Sequence, residues 1–140
     1  MPLDLSSLRK GISSLRTAIE VADAEKMSVF DRATQDVIRA GVIQNFEFTY
    51  ELCWKFIQRW LKENHPGEDA DLPRARRELF RMAARYGLID DPAPWFVYSD
   101  ARNMTAHVYD ERRAQIVYDV ALKFINEAET LLKCLEDNND

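Results

Sequence analysis

The chain has 140 residues, 46% of them hydrophobic and 31% charged, the balance of an ordinary folded protein, and its length suits one domain, residues 1–140, with a core of its own. Four glycines and five prolines are too few for the many turns of an all-β fold, and a net charge of -5 argues against indiscriminate nucleic-acid or membrane binding while leaving room for a local basic patch. Cys53 and Cys134 offer neither a disulfide framework nor a metal-ligand spacing, the start Met1-Pro2-Leu3-Asp4 lacks the pattern of a secretion signal, and no apolar run reaches membrane-spanning length, so a cytoplasmic chain with no metal, cofactor or membrane is expected.

Leu5, Leu8, Ile12, Leu15, Ile19 and Ala22 alternate three and four residues apart, which predicts a first amphipathic helix, with Ser6 or Ser7 at its cap. Ser28-Val29-Phe30-Asp31 reads as a fresh helix start, an acid in its first turn. From there to about Asn64 no proline interrupts the pattern, so one long helix is expected, or two joined near Gly41, closed by His65-Pro66-Gly67. Its second half places Phe46, Tyr50, Cys53, Trp54, Phe56, Ile57, Trp60 and Leu61 on one face and Glu47, Glu51, Lys55, Gln58 and Lys62 on the other. Phe48 and Leu52 fall outside both, which calls for a second contact, either a subunit interface or another helix of the same chain.

Pro73 suits the first turn of a short helix that runs to Tyr86 and stops at Gly87. Asp91-Pro92 starts another, carrying Trp95, Phe96 and Tyr98. Asp110 caps a last helix with Ile116, Val117, Val120, Phe124, Ala128, Leu131 and Leu135 inside, and residues 136–140 read as a frayed polar tail. The expected sum is an all-α, antiparallel up-and-down four-helix bundle with an extra short helix.

Arg74, Arg77, Arg81 and Arg85 share one face of the short helix, and Arg76 lies between them. Guanidinium groups so arranged suit contacts to phosphates or a partner, or form a solvated face paired with nearby acids. Glu47 and Glu51 stand one turn apart with Lys55 continuing the row, which reads as a surface Glu–Lys pairing. His65, without ligands at metal spacing, reads as a turn residue.

The segment Arg102-Asn103-Met104-Thr105-Ala106-His107-Val108-Tyr109 concentrates the chemistry. Arg102 and His107 stand five positions apart, about 140° around an ideal helix. The two converge only if the helix ends between them, and the helix-poor Met104-Thr105 followed by the Asp110 cap predicts such a break. A fixed cation, a group titrating near neutrality and a phenol would then meet one ligand. Cleavage of RNA by its own 2′-hydroxyl needs a base, an acid for the leaving oxygen and positive charge on the phosphorane. One suitable histidine per chain means that acid and base together require two chains, supplied by a two-fold dimer. The other reading pairs Arg102 with an acid such as Asp100 and leaves His107 to cap or pack.

Arg102 with Asn103 after it, four residues between Arg102 and His107, and Tyr109 two further on resemble the signature of the HEPN family of helical domains. Trp95 to Tyr109 together with Phe46-Glu47-Phe48-Thr49-Tyr50-Glu51-Leu52-Cys53-Trp54-Lys55 looks like one branch, the small nucleotidyltransferase substrate-binding proteins encoded beside a minimal nucleotidyltransferase. The resemblance implies a dimeric bundle with both motifs in a shared cleft. It implies metal-independent RNA cleavage by Arg102 and His107, assisted by Asn103, in a toxin–antitoxin pair. It further implies silencing by the partner nucleotidyltransferase, which adds AMP to Tyr109. The alternative that the branch's name carries is a non-catalytic subunit binding nucleotide or substrate for the partner.

Overall fold

A computed structural model of the chain describes residues 2–65 and 76–139, and everything below concerns those residues. They are all-helical: α1 (Ser6–Val21), α2 (Ala24–Met27), α3 (Arg32–Asn64), α4 (Arg76–Arg85), α5 (Ala93–Met104) and α6 (Glu111–Asp137), with a 3-10 turn, Thr105–His107, between the last two.

Local chemistry sets most of the boundaries. α1 begins after Leu5, and it is the Asp4 carboxylate, not a serine, that accepts the Ser6 amide at 3.0 Å. Asp31 is the cap of α3 rather than a residue of its first turn, accepting the Thr34 amide at 2.8 Å. Asp23 caps the one-turn α2, an element absent from the sequence reading. α3 runs unbroken through Gly41 for 33 residues, about 50 Å at the usual rise. The start expected at Pro73 lies outside the described residues. At the other end of α4, Gly87 has φ 79°, and the amides of Gly87 and Leu88 return to the carbonyls of Ala84 and Ala83, so a left-handed residue closes the helix.

Cross-helix contacts give the directions. Ser14 meets Asn45 and Gly11 meets Thr49, so α1 runs antiparallel to α3; Arg9 with Glu136 and Arg16 with Glu129 set α1 antiparallel to α6. Phe46 against Phe124 and Trp60 against Asn138 show α3 and α6 running the same way. α5 opposes α3, with Ser99 on Tyr50 and Arg102 on Glu47, and so opposes α6 as well, which runs with α3.

Phe124 of α6 sits at the centre of the core. Its ring centroid lies 5.0 Å from Tyr98, 5.1 Å from Phe46 and 5.8 Å from Trp95, all edge-to-face, so one aromatic cluster ties α3, α5 and α6 together. The apolar face expected of α3 is buried apart from Trp54, which is half-buried. Of its two outliers, Leu52 is covered by α1 of the same chain at Gly11, whereas Phe48 remains 55% exposed. Ile116, expected inside, is exposed: the inner stripe is Val117, Ala121, Phe124, Ile125, Ala128, Leu131 and Leu135, and Ile116 lies a quarter-turn off it. The C-terminal stretch is also firmer than a frayed tail. α6 continues to Asp137, the Trp60 indole donates to the Asn138 carbonyl, and the Asn139 side chain brackets the Leu3 amide and carbonyl at 2.7 and 2.9 Å.

Candidate functional site: the junction of α5 and α6

The chain does break between Arg102 and His107. α5 ends at Met104, where the Thr105 hydroxyl donates to the Arg102 carbonyl at 2.7 Å and so takes up an acceptor at the helix end. One 3-10 turn follows, closed by the Asp110 amide on the His107 carbonyl, and the Asp110 carboxylate accepts the Arg112 amide to start α6. Past the break His107, Val108 and Tyr109 stand in solvent, Tyr109 with 82% of its surface exposed, and Asn103, on the last turn of α5, is exposed as well. The Tyr109 hydroxyl lies 3.4 Å from His107 Nδ1, with the rings edge-on.

Arg102 is placed differently. Its side chain, 29% exposed, turns back onto α3. Nε donates to Glu51 Oε1 at 3.1 Å, Nη2 stands 3.4 Å from Glu47 Oε1, and Nη1 donates to the Thr105 hydroxyl at 3.1 Å. Neither Asp100 nor any Glu–Lys pair fits this arrangement. Asp100 faces Arg77 at 3.8 Å, and Glu47 and Glu51 pair with arginines while Lys55 is exposed.

Arg76 completes the cluster from α4. It grips Glu51 with both guanidinium nitrogens, Nη1 to Oε1 at 2.9 Å and Nη2 to Oε2 at 3.2 Å, a fork-to-fork pair. Its guanidinium carbon stands 4.8 Å from the Trp54 ring centroid and 5.5 Å from that of Tyr50. Burial opposes its charge, but the hydrogen bonds of Glu51 and Tyr50 outweigh that and hold its pKa above the usual arginine value. Two carboxylates and two guanidinium groups from three helices therefore meet beside the turn that bears His107. The sequence reading missed this role for Glu47, Glu51 and Arg76; the available signal was that Glu47 projects next to Trp54, at the edge of the apolar face.

The stripe of arginines on α4 is partly occupied. Arg77 and Arg81 hold their guanidinium carbons 4.8 and 5.3 Å from the Phe96 ring centroid, and Arg81 also pairs with Glu78. Arg85 is exposed, and Arg74 lies outside the described residues. His65 stacks on Tyr86 with ring centroids 3.6 Å apart, as suits a turn residue. Burial pushes the Cys53 thiol well up, which keeps it protonated and inert. Among the described residues no three His, Cys, Asp or Glu side chains gather as a metal site, and no helix is long and apolar enough to cross a membrane. A cleft of about 580 Å³ opens beside the junction, with Arg39, Ile43, Glu47, Thr105, Val108 and Glu111 among its walls.

Helices throughout the described residues, with Arg-x4-His-x-Tyr laid across a helix junction, are the features of a HEPN domain. The chain belongs to the family described as nucleotidyltransferase substrate binding protein like, which matches residues 3–137. It is 35% identical over 138 residues to the Haemophilus influenzae protein named "Probable ribonuclease HepT", covering 98% of this chain and 94% of that one. A solved Haemophilus influenzae structure, HI0074, described as the fold of a substrate binding domain of a nucleotidyltransferase, superimposes with a TM-score of 0.88 at 34% identity, over 95% of this chain and 99% of that one. A Thermus thermophilus structure matches with a TM-score of 0.69 at 25% identity, over 89% and 98% of the two chains.

Proposed function

We propose that the chain is a single cytoplasmic domain, residues 1–140, that pairs as a homodimer, partners a small nucleotidyltransferase and cleaves RNA without a metal. The alternating directions of α1, α3, α5 and α6 support its reading as an up-and-down four-helix bundle, with α2 and α4 as additions. The relatives' names, a ribonuclease and a substrate-binding domain of a nucleotidyltransferase, support the two halves of the functional reading.

The observation that carries it is the helix break itself, which leaves His107 and Tyr109 exposed side by side while Arg102 is held just behind the same turn. His107 of one subunit takes the proton of the attacking 2′-hydroxyl, and the partner subunit's His107 returns one to the leaving 5′-oxygen. Arg102 places positive charge on the phosphorane, and Asn103, exposed directly after it, adds a polar contact. The products are a 2′,3′-cyclic phosphate and a free 5′-hydroxyl. In the silenced state the Tyr109 oxygen has attacked the α-phosphorus of ATP, with pyrophosphate leaving, so that AMP stands beside His107. Arg77, Arg81 and Arg85 are the surface offered to RNA phosphates or to the partner, and Arg74 continues their spacing in the sequence.

One observation favours a second reading. Arg102 already faces two carboxylates, as a structural arginine would, and this fits a non-catalytic subunit that binds nucleotide or substrate for its partner. Purified protein incubated with RNA in EDTA separates the two. Cleavage that is lost in Arg102→Ala and in His107→Ala supports the ribonuclease; cleavage unchanged in both variants overturns it. The second reading predicts a stable complex and altered partner activity with no cleavage at any concentration.

A further inference from the structure

Glu51 Oε1 is shared. It accepts Arg76 Nη1 from α4 at 2.9 Å and Arg102 Nε from α5 at 3.1 Å, while Arg76 alone takes Oε2. Arg76 and Arg102 therefore meet on one carboxylate oxygen. A tether between α3 and α4 would need only the Arg76–Glu51 fork, and a tether between α3 and α5 only Arg102 on Glu51. Sharing one oxygen couples the two.

Charge adds a second argument. Glu47 and Glu51 around Arg102 alone would leave one net negative charge where a phosphodiester has to approach. Arg76 balances it, and its own freedom is limited by the Trp54 and Tyr50 rings beside it. With Nε on Glu51 and Nη1 on Thr105, the guanidinium plane is fixed to both α3 and the first residue of the turn that ends at His107.

We infer that Glu51 and Arg76 are positioning residues for Arg102: Arg76 orients and neutralises Glu51 from α4, and Glu51 sets the Arg102 guanidinium against the turn that carries His107. Neither touches the substrate. The catalytic consequence rests on the ribonuclease reading above, whereas the placement of Arg102 does not.

The test uses the full-length chain as Glu51→Gln, Arg76→Gln and the double variant, with an oligoribonucleotide in EDTA as probe. Misplacement of one catalytic group by about an ångström costs up to ~100-fold, so kcat should fall between roughly ten-fold and a hundred-fold in each single variant, with KM within about two-fold. Because Arg76 acts through Glu51, the double variant should be no slower than Glu51→Gln alone. Arg76→Lys, which keeps the charge without the fork, should recover part of kcat. Full kcat in Arg76→Gln, or losses that add in the double variant, overturn the inference.

The second arm needs no activity. In isotope-labelled protein the Arg102 Nε–H resonance, assigned by its loss in Arg102→Lys, should be protected from solvent exchange and should shift and lose protection in both single variants. If the wild-type chain cuts no RNA, the ribonuclease reading fails, and this resonance alone decides the positioning. An unchanged resonance in both variants overturns the inference whatever the activity.

Discussion

The Tyr109 hydroxyl lies 3.4 Å from Nδ1 of His107, two exposed groups on the turn that joins α5 to α6. This short distance gives the proposed off-switch a physical form. A nucleotide joined to that oxygen would add a phosphate and a base against the imidazole, occupying the place where RNA must reach it. Tyr109→Phe removes the acceptor oxygen and nothing else of the ring. After incubation with the partner nucleotidyltransferase and ATP, intact-mass measurement should show AMP on the wild-type chain and none on the Phe variant. A variant that still gains the mass moves the modification elsewhere and ends the case for Tyr109.

Gly11 lies where α1 packs against α3. A Cβ there would stand 2.8 Å from Leu52 Cδ1, and the Gly11 carbonyl accepts the hydroxyl of the fully buried Thr49 at 3.0 Å. In Gly11→Ala the flexible end of Leu52 can swing away, and the better helix propensity of alanine, about 1 kcal/mol, offsets the shift. Gly11→Leu has no such escape and must push the helices apart, at a cost of about 1–3 kcal/mol. Urea titration should therefore separate the two, with the Ala variant near wild type and the Leu variant lower in midpoint. Equal midpoints would mean that the helices do not meet at this point.

Glu127 supplies a pH signature. Its burial, the negative charge of Asp90 and that of Asp91 raise its pKa above the usual 4.5, against the hydrogen bond from Tyr98, which lowers it. The native chain therefore binds the proton more tightly than the unfolded one does. Stability falls as pH rises from about the unfolded value through the folded one, and stays lower at neutral pH. Glu127→Gln removes this penalty. Because the group is largely open to water, the gain at pH 7 should be below about 1 kcal/mol, and it should vanish at pH values under the ordinary carboxylate range. Melting curves across that pH range measure it; a variant that is less stable at neutral pH contradicts the sign.

Much of the fold was legible along the chain because it depends on neighbours in sequence. The spacing of Leu8, Ile12 and Leu15, the run from Phe46 to Leu61, Gly87 at φ 79° and Asp110 as a cap each depend on a few adjacent residues, and each stands where the pattern placed it. The helix break after Arg102 belongs to the same class, since Thr105 and Asp110 make it from within the segment. Ser6 and Ser7 misled because a cap is chosen by which side chain reaches the amide, and Asp4 reaches it. Ile116 and the C-terminal tail misled because a stripe and a fray are settled by what lies opposite. The Leu3 backbone and the Trp60 indole lie far off in sequence from Asn138 and Asn139.

The motif from Arg102 to Tyr109 was therefore set by the sequence itself: its residues, its helix break and the neighbouring His107 and Tyr109 all arise within one short segment. What holds Arg102 was decided only by the tertiary structure. Glu47, Glu51 and Arg76 come from α3 and α4, and a charged residue's partner is whichever opposite charge the packing brings to it. Helix periodicity can say that Glu47 stands at the edge of the apolar face and Glu51 one turn on from it. It cannot say that Trp54 and Tyr50 will carry an arginine from another helix onto that carboxylate, because that contact forms only once the helices have packed.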